Sequence, residues 1–594
     1  MEPVLSDFNR FDTVSFDLET TGLSPLDSRI LLAQIGFPDD TQYIIDARKV
    51  DLTPIAPFLQ SRKWKKIGFN LKFDEQFMSY NYQVPILNIF DCYIAERVIA
   101  PESRWGNSFE DLAALYLNVT LDKSVRKTFF GMQSGTFSEE QIRYAADDVK
   151  YLFPLQEMQL EKLQNHKTLH VAELEFDTVT VVANMELQGV PINVTKWQEI
   201  LGEYAIEHEA SRKKMLSIFM GVDKFDQQLG VFEDAPEMPT GKKPLNIDSP
   251  QQLKAAFKEL GVNVKDTKEQ TIATIKHPAA QALLEYRGLQ KIMSSYGGTF
   301  LDRIHPFDKR IHADWHQLGT ETGRFSCSNP NLQQIPAKFR SCVGYAENYV
   351  LIGADFSQME LRILAEESRD PILVDAFTSG KDVHSVTASE MFNIPIESVT
   401  KEQRFAAKTL NFGITYGMKV KKFVDMMNAE NLKEGRDKIN VKQGSEIINR
   451  YRETYKVAGK WLNDVGLVAL REGSVKTRYG RKRFFQPVST KLDPDAFRGQ
   501  IEAIKRQGAN MPIQGTNADI TKLAMITIHD ELKDYGYRGN IVLQVHDEIV
   551  VLAHKTQVDD IKSIVVESMT AAGQRLLPTI PVEVDSYVSE YWKK

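Results

Sequence analysis

Two apolar stretches of this chain each end in a carboxylate, and they constrain its fold more than any other feature. One runs from residue 350 to Asp355, and the other runs from residue 541 to Asp547. Both read as buried β-strands, and removing a carboxylate from water costs several kcal/mol unless a positive group receives it. We therefore expect Asp355 and Asp547 to share one cation site.

Carboxylate pairs with only oxygen ligands favour Mg²⁺, and two Mg²⁺ ions about 4 Å apart are the usual machinery of in-line phosphoryl transfer. The pair therefore predicts a phosphoryl-transfer enzyme. Residues 540–553 predict a β-hairpin with an acidic turn, and the strand that contains Asp355 is followed by helical patterns over roughly 358–470. Helices inserted between two strands of one sheet would form a mobile lid over the carboxylates.

The length of 594 residues exceeds what one hydrophobic core supports, so several domains are expected. A net charge of -7 neither favours nor excludes nucleic acid, because a large enzyme can line one cleft with Lys and Arg.

Cys92, Cys327 and Cys342 lack metal-ligand spacing, which argues against a disulfide framework or a structural zinc site. Without a signal peptide or a long apolar run, we expect the cytoplasm of a bacterial or phage-infected cell, or an organelle.

A second set of carboxylates occurs near the N-terminus, where strand and helix patterns predict a compact α/β unit. Asp17 and Glu19 are two residues apart on a predicted strand and therefore face the same side. Asp74 follows, and Tyr144 and Asp148 lie one helical turn apart. Four carboxylates and a tyrosine can hold two metal ions and orient a water molecule for attack on a phosphodiester.

The order and spacing of FDLETTG, NLKFD and YAADD resemble the proofreading exonucleases of the DEDD superfamily, in the subgroup with tyrosine in the third motif. The resemblance implies a domain that removes nucleotides from a 3′ end. It implies that Tyr144 positions the attacking water and that the metal ligands are Asp17, Glu19, Asp74 and Asp148.

In the segment RFAAKTLNFGITYG, two cations and two aromatic residues recur at every fourth position: Arg404, Lys408, Phe412 and Tyr416. On a helix they would lie along one face. The cations suit a triphosphate, and the aromatic rings suit a sugar and a base. Core stripes do not usually mix Arg and Lys with aromatic residues, so a binding face is favoured over a buried one.

Six segments in order resemble the family A DNA polymerases: TETGRFSCSNPNLQQIP, DFSQMELR, DVHS, RFAAKTLNFGITYG, RQGANMPIQGTNADI and VHDEIV. The resemblance implies an α/β multidomain fold in which a ribonuclease H-like 3′-5′ exonuclease domain precedes a right-hand polymerase domain. It implies templated addition of dNTPs to a primer 3′ end with proofreading, and we expect replication of a phage or small genome. The implied domains are an exonuclease (1–165), a thumb with connecting helices (166–312), a palm (313–370 and 499–594) and fingers (371–498).

The resemblance also implies roles for single residues. Asp355 and Asp547 would hold two Mg²⁺ ions, for which Mn²⁺ could substitute, with Glu548 as a secondary acid nearby. Lys408 would give a proton to the departing pyrophosphate, and Glu360 would close the pocket against a ribose 2′-OH. The implied dNTP-binding residues are Gln358, Glu360, His384, Arg404, Lys408, Phe412 and Tyr416.

The implied contacts with primer-template DNA are Arg287, Lys291, Arg324, Arg506, Asn510, Gln514 and His546. Donors in the minor groove would test pair geometry without reading sequence, because correct pairs share its acceptors. The alternative for Arg287 and Lys291 is a pair of solvated helix charges. The basic run from Lys476 to Phe485 suits a single-stranded template, with a loop of surface charges as its alternative.

Three further expectations concern the limits of the resemblance. Motif DFS stands where many relatives have DYS, and the chain leaves no room for an upstream 5′ nuclease domain. The Pro- and Gly-rich stretch near 219–246 is either a disordered loop or a binding site for a processivity partner.

We expect a monomer away from membranes, with a helicase and a single-strand binding protein as replisome partners. A nuclease with a polymerase-shaped body and a DNA-end binding scaffold are the alternatives, and the intact acidic motifs argue against both.

Overall fold

The computed structural model describes residues 1–101, 107–122, 124–220, 245–413, 417–489 and 493–593. The chain forms two compact units. The first comprises Met1–Gly189, Ala313–Gln334 and Glu347–Glu590, and the second comprises Val190–His312, Ile335–Ala346 and Tyr591–Lys594. The helices within the described ranges include none with the length and apolar character needed to cross a membrane.

The N-terminal part of the first unit is built on a five-stranded sheet with the order β3-β2-β1-β4-β5. β2 pairs antiparallel with β1 and β3, whereas β4 pairs parallel with β1 and β5. Every residue of β2 is buried, which explains its nearly continuous apolar sequence. The strands are β1 (Thr13–Thr20), β2 (Ile30–Gly36), β3 (Gln42–Asp46), β4 (Lys65–Gly68) and β5 (Ile89–Asp91).

Helices pack against this sheet and share its hydrophobic core, including the first half of α8. α6 starts at a capping box in which Ser138 and Gln141 bond each other's backbone N–H groups. That start fixes which residues of α6 face the sheet. The helices are α1 (Glu2–Phe8), α2 (Ala56–Leu59), α3 (Lys72–Tyr82), α4 (Cys92–Ile99), α5 (Phe109–Leu117), α6 (Glu139–Lys150), α7 (Leu152–Asn165) and α8 (Leu169–Gln188).

The second unit is mainly helical. Met215 and Phe219 of its longest helix share a core with Leu253, Phe257 and Leu283. Its elements are β6 (Val190–Pro191), α9 (Val194–Met220), α10 (Pro250–Glu259), α11 (Glu269–Ile272), α12 (Pro278–Tyr296), α13 (Gly298–Leu301), β7 (Arg310–Ile311) and α14 (Ala337–Arg340), with β6 and β7 paired antiparallel. Nearly all of the predicted 219–246 insertion lies outside the described residues.

The C-terminal part of the first unit contains an antiparallel four-stranded sheet with the order β13-β14-β10-β15. Two short antiparallel pairs, β8 with β9 and β11 with β12, lie elsewhere in the same unit. The strands are β8 (Asp314–His316), β9 (Ser326–Ser328), β10 (Tyr349–Phe356), β11 (Ser474–Lys476), β12 (Lys482–Phe484), β13 (Gly539–Val545), β14 (Glu548–His554) and β15 (Val584–Ser589).

In the part of the chain that the structure describes, eight α-helices separate β10 from β13, although β10 and β14 are neighbours in the sheet. This matches the expected insertion of helices between strands of one sheet. The helices of this part are α15 (Met359–Ser368), α16 (Pro371–Thr378), α17 (Val383–Phe392), α18 (Lys401–Gly413), α19 (Val420–Lys433), α20 (Val441–Thr454), α21 (Lys456–Glu472), α22 (Pro494–Asp534) and α23 (Val558–Leu576). Short 3-10 helices occur at Thr53–Ile55, Ser124–Thr128, Leu332–Gln334, Ile396–Ser398 and Lys555–Gln557.

A buried cluster of charges joins α8 to the C-terminal part of the same unit. Glu175 of α8 accepts hydrogen bonds from Arg481 and Lys522, and Asp519 of α22 accepts one from Arg481 Nε at 2.8 Å. Burial alone would raise the pKa of Glu175, but Lys522 and Arg481 hold it below its ordinary value. The cluster therefore fixes the β11–β12 hairpin, which contains Arg481, against two helices.

This cluster corrects one expectation for the basic run. Arg481 and Arg483 are 5% and 6% exposed, and Arg483 pairs with Glu321. Their charges are balanced inside the protein, so these two arginines do not face a template strand. Lys476 remains exposed on the same hairpin.

Candidate active sites

The five acidic-motif residues near the N-terminus lie together. Asp17 and Glu19 lie on β1, Asp74 lies on α3, and Tyr144 and Asp148 lie on α6. All five line one cavity of about 130 Å³. The ligand oxygens of Asp17, Glu19 and Asp148 lie within 4.8 Å of one another, close enough for one metal ion to contact all three.

Burial dominates the electrostatics of this cavity. It raises the pKa of Asp17 to about 7, and burial together with Asp17 and Asp148 raises the pKa of Glu19 to about 9. Burial and Asp17 also raise the pKa of Asp74, and burial with the neighbouring carboxylates raises the pKa of Tyr144. Carboxylates held together at this cost need a cation to be ionised at neutral pH.

The residues present fit a divalent cation. Asp74 is 1% exposed, and its Oδ1 accepts no hydrogen bond from any residue that the structure describes. A buried carboxylate oxygen without a donor is costly, and a metal ion would satisfy it. The donor set contains only oxygen, which suits Mg²⁺ or Mn²⁺ better than softer metals.

Two further charged residues line this cavity that the sequence motifs did not contain, Glu110 of α5 and Arg126 of the 3-10 helix Ser124–Thr128. Arg126 opposes the rise in the pKa of Asp17, Glu19 and Tyr144. The only sequence signal was a short basic run, KSVRK, upstream of the tyrosine motif. Such a run is ordinary on a surface, so its place beside the carboxylates could be found only from the fold.

The second carboxylate set lies on the C-terminal sheet. Asp355 near the end of β10 is in register with Glu548 of β14, and Asp547 lies in the turn between β13 and β14. Phe356 N–H donates to the backbone oxygen of Asp547 at 3.4 Å, which brings that turn against the end of β10. The hairpin and its acidic turn therefore agree with the sequence expectation.

Cross-strand neighbours share one face of a sheet, so Asp355, Glu548 and Asp585 of β15 project to the same side. Like charges directly opposite one another destabilise a sheet, and a divalent cation would remove that repulsion. Glu548 is buried and accepts a hydrogen bond from Tyr587 at 3.0 Å. Asp585 was not singled out by any sequence motif.

The turn itself has an uncommon backbone. His546 has a φ of 61°, a left-handed conformation that costs energy for a residue other than glycine. Gln544 stabilises it by donating from Nε2 to the His546 carbonyl oxygen at 2.5 Å. The turn therefore holds His546 and Asp547 in a fixed position at the end of the sheet.

Three of the four predicted stripe residues lie exposed on α18: Arg404, Lys408 and Phe412. Tyr416 lies outside the described residues. Arg404 forms a two-pronged ion pair with Asp382, with Nε to Oδ2 at 2.9 Å and Nη2 to Oδ1 at 3.0 Å. Lys408 and Phe412 line a cavity of about 670 Å³ together with Arg506.

His384 of α17 lies beside this stripe, with its ring centroid 5.5 Å from that of Phe412. Burial lowers its pKa to about 4, and the charges of Arg404 and Lys408 act in the same direction, against Asp382. The side-chain amide of Asn411 donates to His384 Nδ1 at 2.9 Å. Since Nδ1 accepts, the neutral ring has its proton on Nε2.

Glu360 of α15 pairs with Arg324, so these two predicted residues are in contact. Gln358 precedes α15 with a left-handed φ of 55°, and its buried Oε1 has no hydrogen-bond donor among the described residues. Arg324 and Gln514 line one cavity of about 590 Å³.

The remaining predicted DNA contacts fall into two groups. Arg506, Asn510 and Gln514 recur at every fourth position of α22 and therefore share one helix face. Arg287 and Lys291 lie on α12 of the second unit. Lys291 is exposed, whereas Arg287 is half-buried and donates to the Thr267 carbonyl oxygen at 2.5 Å.

Comparison with known protein families agrees with this architecture. Residues 222–594 match the model of DNA polymerase family A, and residues 1–164 match a 3′-5′ exonuclease. The chain belongs to DNA polymerase family A, in a form that carries a 3′-5′ exonuclease domain. The predicted family and fold class are therefore confirmed. Enzymes of this family and their exonuclease domains depend on divalent metal ions.

Curated relatives are bacterial DNA polymerases. DNA polymerase I of Aquifex aeolicus is 30% identical over 601 residues, which cover 97% of this chain and 95% of that protein. DNA polymerase I of Chloroflexus aurantiacus is 29% identical over 97% of this chain and 61% of its own length. The thermostable DNA polymerase I of Thermus aquaticus is 34% identical over 59% of this chain and 42% of its own length. The chain thus spans less than two thirds of the latter two relatives.

Among solved structures, the POL domain of Pol1 from M. smegmatis, in complex with DNA primer-template and dNTP, has a TM-score of 0.82 and 25% sequence identity. The match covers 100% of this chain and 97% of that one. The roles of individual residues and the five domain boundaries stay predictions. Helix α8, for example, lies in the first unit, whereas the predicted thumb began at residue 166.

Proposed function

We propose that this chain extends a primer 3′ end on a DNA template by two-metal phosphoryl transfer from dNTPs and removes mismatched nucleotides at a separate site. The observation that carries the proposal is the register of Asp355 with Glu548, next to the turn that contains Asp547. This geometry gathers carboxylates on one sheet face where only a cation relieves their repulsion.

At the polymerase site, Asp355 and Asp547 would hold the ions. Bound Mg²⁺ would supply a more acidic primer 3′-hydroxyl and compensate the charge that develops on the leaving pyrophosphate. Glu548, held by Tyr587, would act as a secondary acid beside them. The exclusively oxygen donor set supports Mg²⁺, with Mn²⁺ as a substitute.

The incoming triphosphate would bind along α18. Arg404 and Lys408 are the cations exposed there, and the Nε2–H of neutral His384 is a further donor beside them. Lys408 would transfer a proton to the pyrophosphate as it leaves. Phe412 would pack against the sugar, and Glu360 would exclude a 2′-hydroxyl. Gln358 and Tyr416 are proposed to complete the pocket.

The duplex would contact α22 and the acidic turn. Arg506, Asn510 and Gln514 share one helix face, and Asn510 Oδ1 is buried without a donor among the described residues. With Arg324 and His546 they would place hydrogen-bonding groups on the minor groove. Arg287 and Lys291 would contact backbone phosphates. Since the guanidinium of Arg287 already donates one hydrogen bond to the Thr267 carbonyl oxygen, only its remaining N–H groups would bind a phosphate.

At the exonuclease site, Asp17, Glu19, Asp74 and Asp148 would hold two metal ions and Tyr144 would orient the attacking water. The orphaned Asp74 Oδ1 supports this assignment. The presence of an editing site beside the polymerase site supports a replicative role, for a phage or small genome. That the chain acts as a monomer with a helicase and a single-strand binding protein stays a prediction.

The test is primer extension from matched and 3′-mismatched primers, with short templates and with a primed single-stranded circle, in Mg²⁺ and in Mn²⁺. Asp355→Ala should lower extension by about a thousandfold and leave removal of the mismatch intact, and Asp17→Ala should do the reverse. Extension that survives Asp355→Ala would sink the polymerase assignment. If the primer on the circle is extended by only a short stretch of nucleotides, that result would argue against a replicative role.

A further inference from the structure

Arg126 lines the exonuclease cavity but belongs to none of the motifs that define it. We propose that Arg126 binds the scissile phosphate of the strand that is hydrolysed there, as a substrate-binding residue of the exonuclease site. The proposal rests on the proposed exonuclease function and adds a residue to it. The chemical class of the ligand is a phosphodiester at the 3′ end of a single strand.

The position of Arg126 supports direct contact with the substrate. It lies on the 3-10 helix Ser124–Thr128, whereas the metal-binding carboxylates lie on β1, α3 and α6. Its side chain is exposed, although Asp17 and Glu19 beside it are almost wholly buried. An arginine that served only to balance buried acids would be expected to be buried with them. An exposed guanidinium at the same cavity can reach a strand that enters from solvent.

Its charge acts on several walls of the cavity at once. The positive charge of Arg126 acts on Asp17 and Glu19 of β1. It also acts on Tyr144 of α6. Arg126 therefore lies within electrostatic range of the groups that would hold the metal ions and the water.

The charges in this cavity show what the guanidinium of Arg126 would add to two bound metal ions. The four proposed metal ligands, Asp17, Glu19, Asp74 and Asp148, line it together with Glu110, and two divalent ions would balance the charge of those four. The bound phosphodiester brings one negative charge, and attack by a water that has lost its proton to solvent adds a second in the transition state, so these charges exceed what the two ions balance. A guanidinium offers two parallel N–H groups to phosphate oxygens and is always protonated. Arg126 would thus stabilise the transition state more than the bound substrate.

The experiment compares Arg126→Gln and Arg126→Lys with Lys127→Gln, a matched control because Lys127 is an exposed cation on the same 3-10 helix. Single-turnover degradation of a single-stranded oligonucleotide in Mg²⁺ gives the first readout. Arg126→Gln should lower the rate about 10- to 100-fold, Arg126→Lys should restore part of it, and Lys127→Gln should stay within twofold. Primer extension should be unchanged in all three variants.

A second readout does not depend on hydrolysis. In EDTA, binding of a fluorescent tetranucleotide is compared with binding of the same oligomer with an uncharged methylphosphonate as its 3′-terminal linkage. Wild type should bind the methylphosphonate about fivefold more weakly, and Arg126→Gln should bind both oligomers equally. Equal sensitivity of wild type and Arg126→Gln to the methylphosphonate would overturn the proposal, because Arg126 would then act only on the carboxylates.

The two proposals fail in different ways. If wild type does not degrade the strand, or if Asp17→Ala degrades it as well as wild type does, the exonuclease assignment itself is wrong. If wild type degrades it, Asp17→Ala does not, and Arg126→Gln remains within twofold of wild type, only the role of Arg126 is wrong.

Discussion

In the proposed exonuclease site five predicted residues already line one cavity, whereas in the proposed polymerase site the carboxylates and the cations expected to bind the triphosphate lie on separate elements. The cations of the polymerase site also have protein partners, since Arg404 pairs with Asp382 and Arg324 pairs with Glu360. Folding alone therefore assembles the editing site. The synthetic site has its groups in place but paired with each other, so an incoming substrate must share or exchange these partners.

The difference follows from how firmly the fold holds the charged side chains of each site. Asp17, Glu19 and Asp74 are buried by the packing of helices on a sheet, which fixes them before any ligand binds. On α18, the exposed side chain of Arg404 is held by its ion pair with Asp382, and exposed pairs stabilise a conformation by about 1 kcal/mol or less. A pair of that strength can orient Arg404 and still leave the guanidinium accessible to a phosphate oxygen.

Helix α8 connects the two regions, so a substitution in it should have the largest effect on how independently they are built. Its residues Phe176 and Val179 pack in the exonuclease core, while Glu175 pairs with Arg481 and Lys522 of the polymerase part. Removing one partner of a buried ion network leaves uncompensated charge, so Glu175→Gln should lower the free energy of unfolding by about 3 kcal/mol. Urea unfolding measures that loss, and Glu173→Gln on the exposed side of α8 is the control.

If the two sites are built independently, Glu175→Gln should weaken primer extension before it affects degradation of single strands. Both activities would be followed at a temperature where the variant is still folded. An equal loss of primer extension and of single-strand degradation would show that α8 makes the two sites one structural unit.

The sequence predicted one site better than the other, for physical reasons. Two-residue spacing on a strand and four-residue spacing on a helix identified Asp17 with Glu19 and Tyr144 with Asp148, because both periods are fixed by backbone geometry. The expectation that Asp355 and Asp547 lie near one another followed from two apolar strands that could share a sheet. Local patterns in these cases determine which side chains meet.

Arg126, Asp585 and the partners of Arg481 were missed because they depend on contacts between distant segments. Nothing near Arg481 in the sequence indicates that Glu175, more than 300 positions earlier, receives its charge. A basic run looks the same whether it faces DNA or a buried acid. Side-chain partners across such separations become visible only when the elements are packed.

The ion pair of Arg404 tests how substrate completes the polymerase site. Asp382 occupies the Nε and Nη2 edge of the guanidinium, and among the described residues no hydrogen bond is formed by Nη1, which could reach a phosphate oxygen. Asp382→Asn removes the charge but keeps a side-chain oxygen to cap α17, where Asp382 accepts from Ser385 N–H at 2.9 Å. The KM for dNTP should rise about two- to fivefold with kcat little changed.

Steady-state extension measures that change, with Asp375→Asn as the control because Asp375 is an exposed acid of the neighbouring helix α16. Degradation of single strands should be the same in all three proteins. A lower KM in Asp382→Asn would mean that Asp382 competes with the triphosphate for Arg404 rather than orienting it.

The smallest expected effect concerns the protonation of His384. Burial and the charges of Arg404 and Lys408 lower its pKa to about 4, so it should remain a neutral donor through Nε2 at physiological pH. Because the folded pKa lies below the unfolded value near 6.5, His384 should lower stability as the pH falls from 6.5 towards 4. NMR of ¹³C-labelled histidine, assigned with His384→Gln, should find no titration of this ring above pH 5.

A triphosphate bound with Ca²⁺ should move the titration midpoint of His384 upwards, since an anion beside the ring favours its charged form. A midpoint near 6.5 in the free protein would mean that water reaches the ring, and the polymerase site would then be less assembled before substrate binds than its geometry indicates.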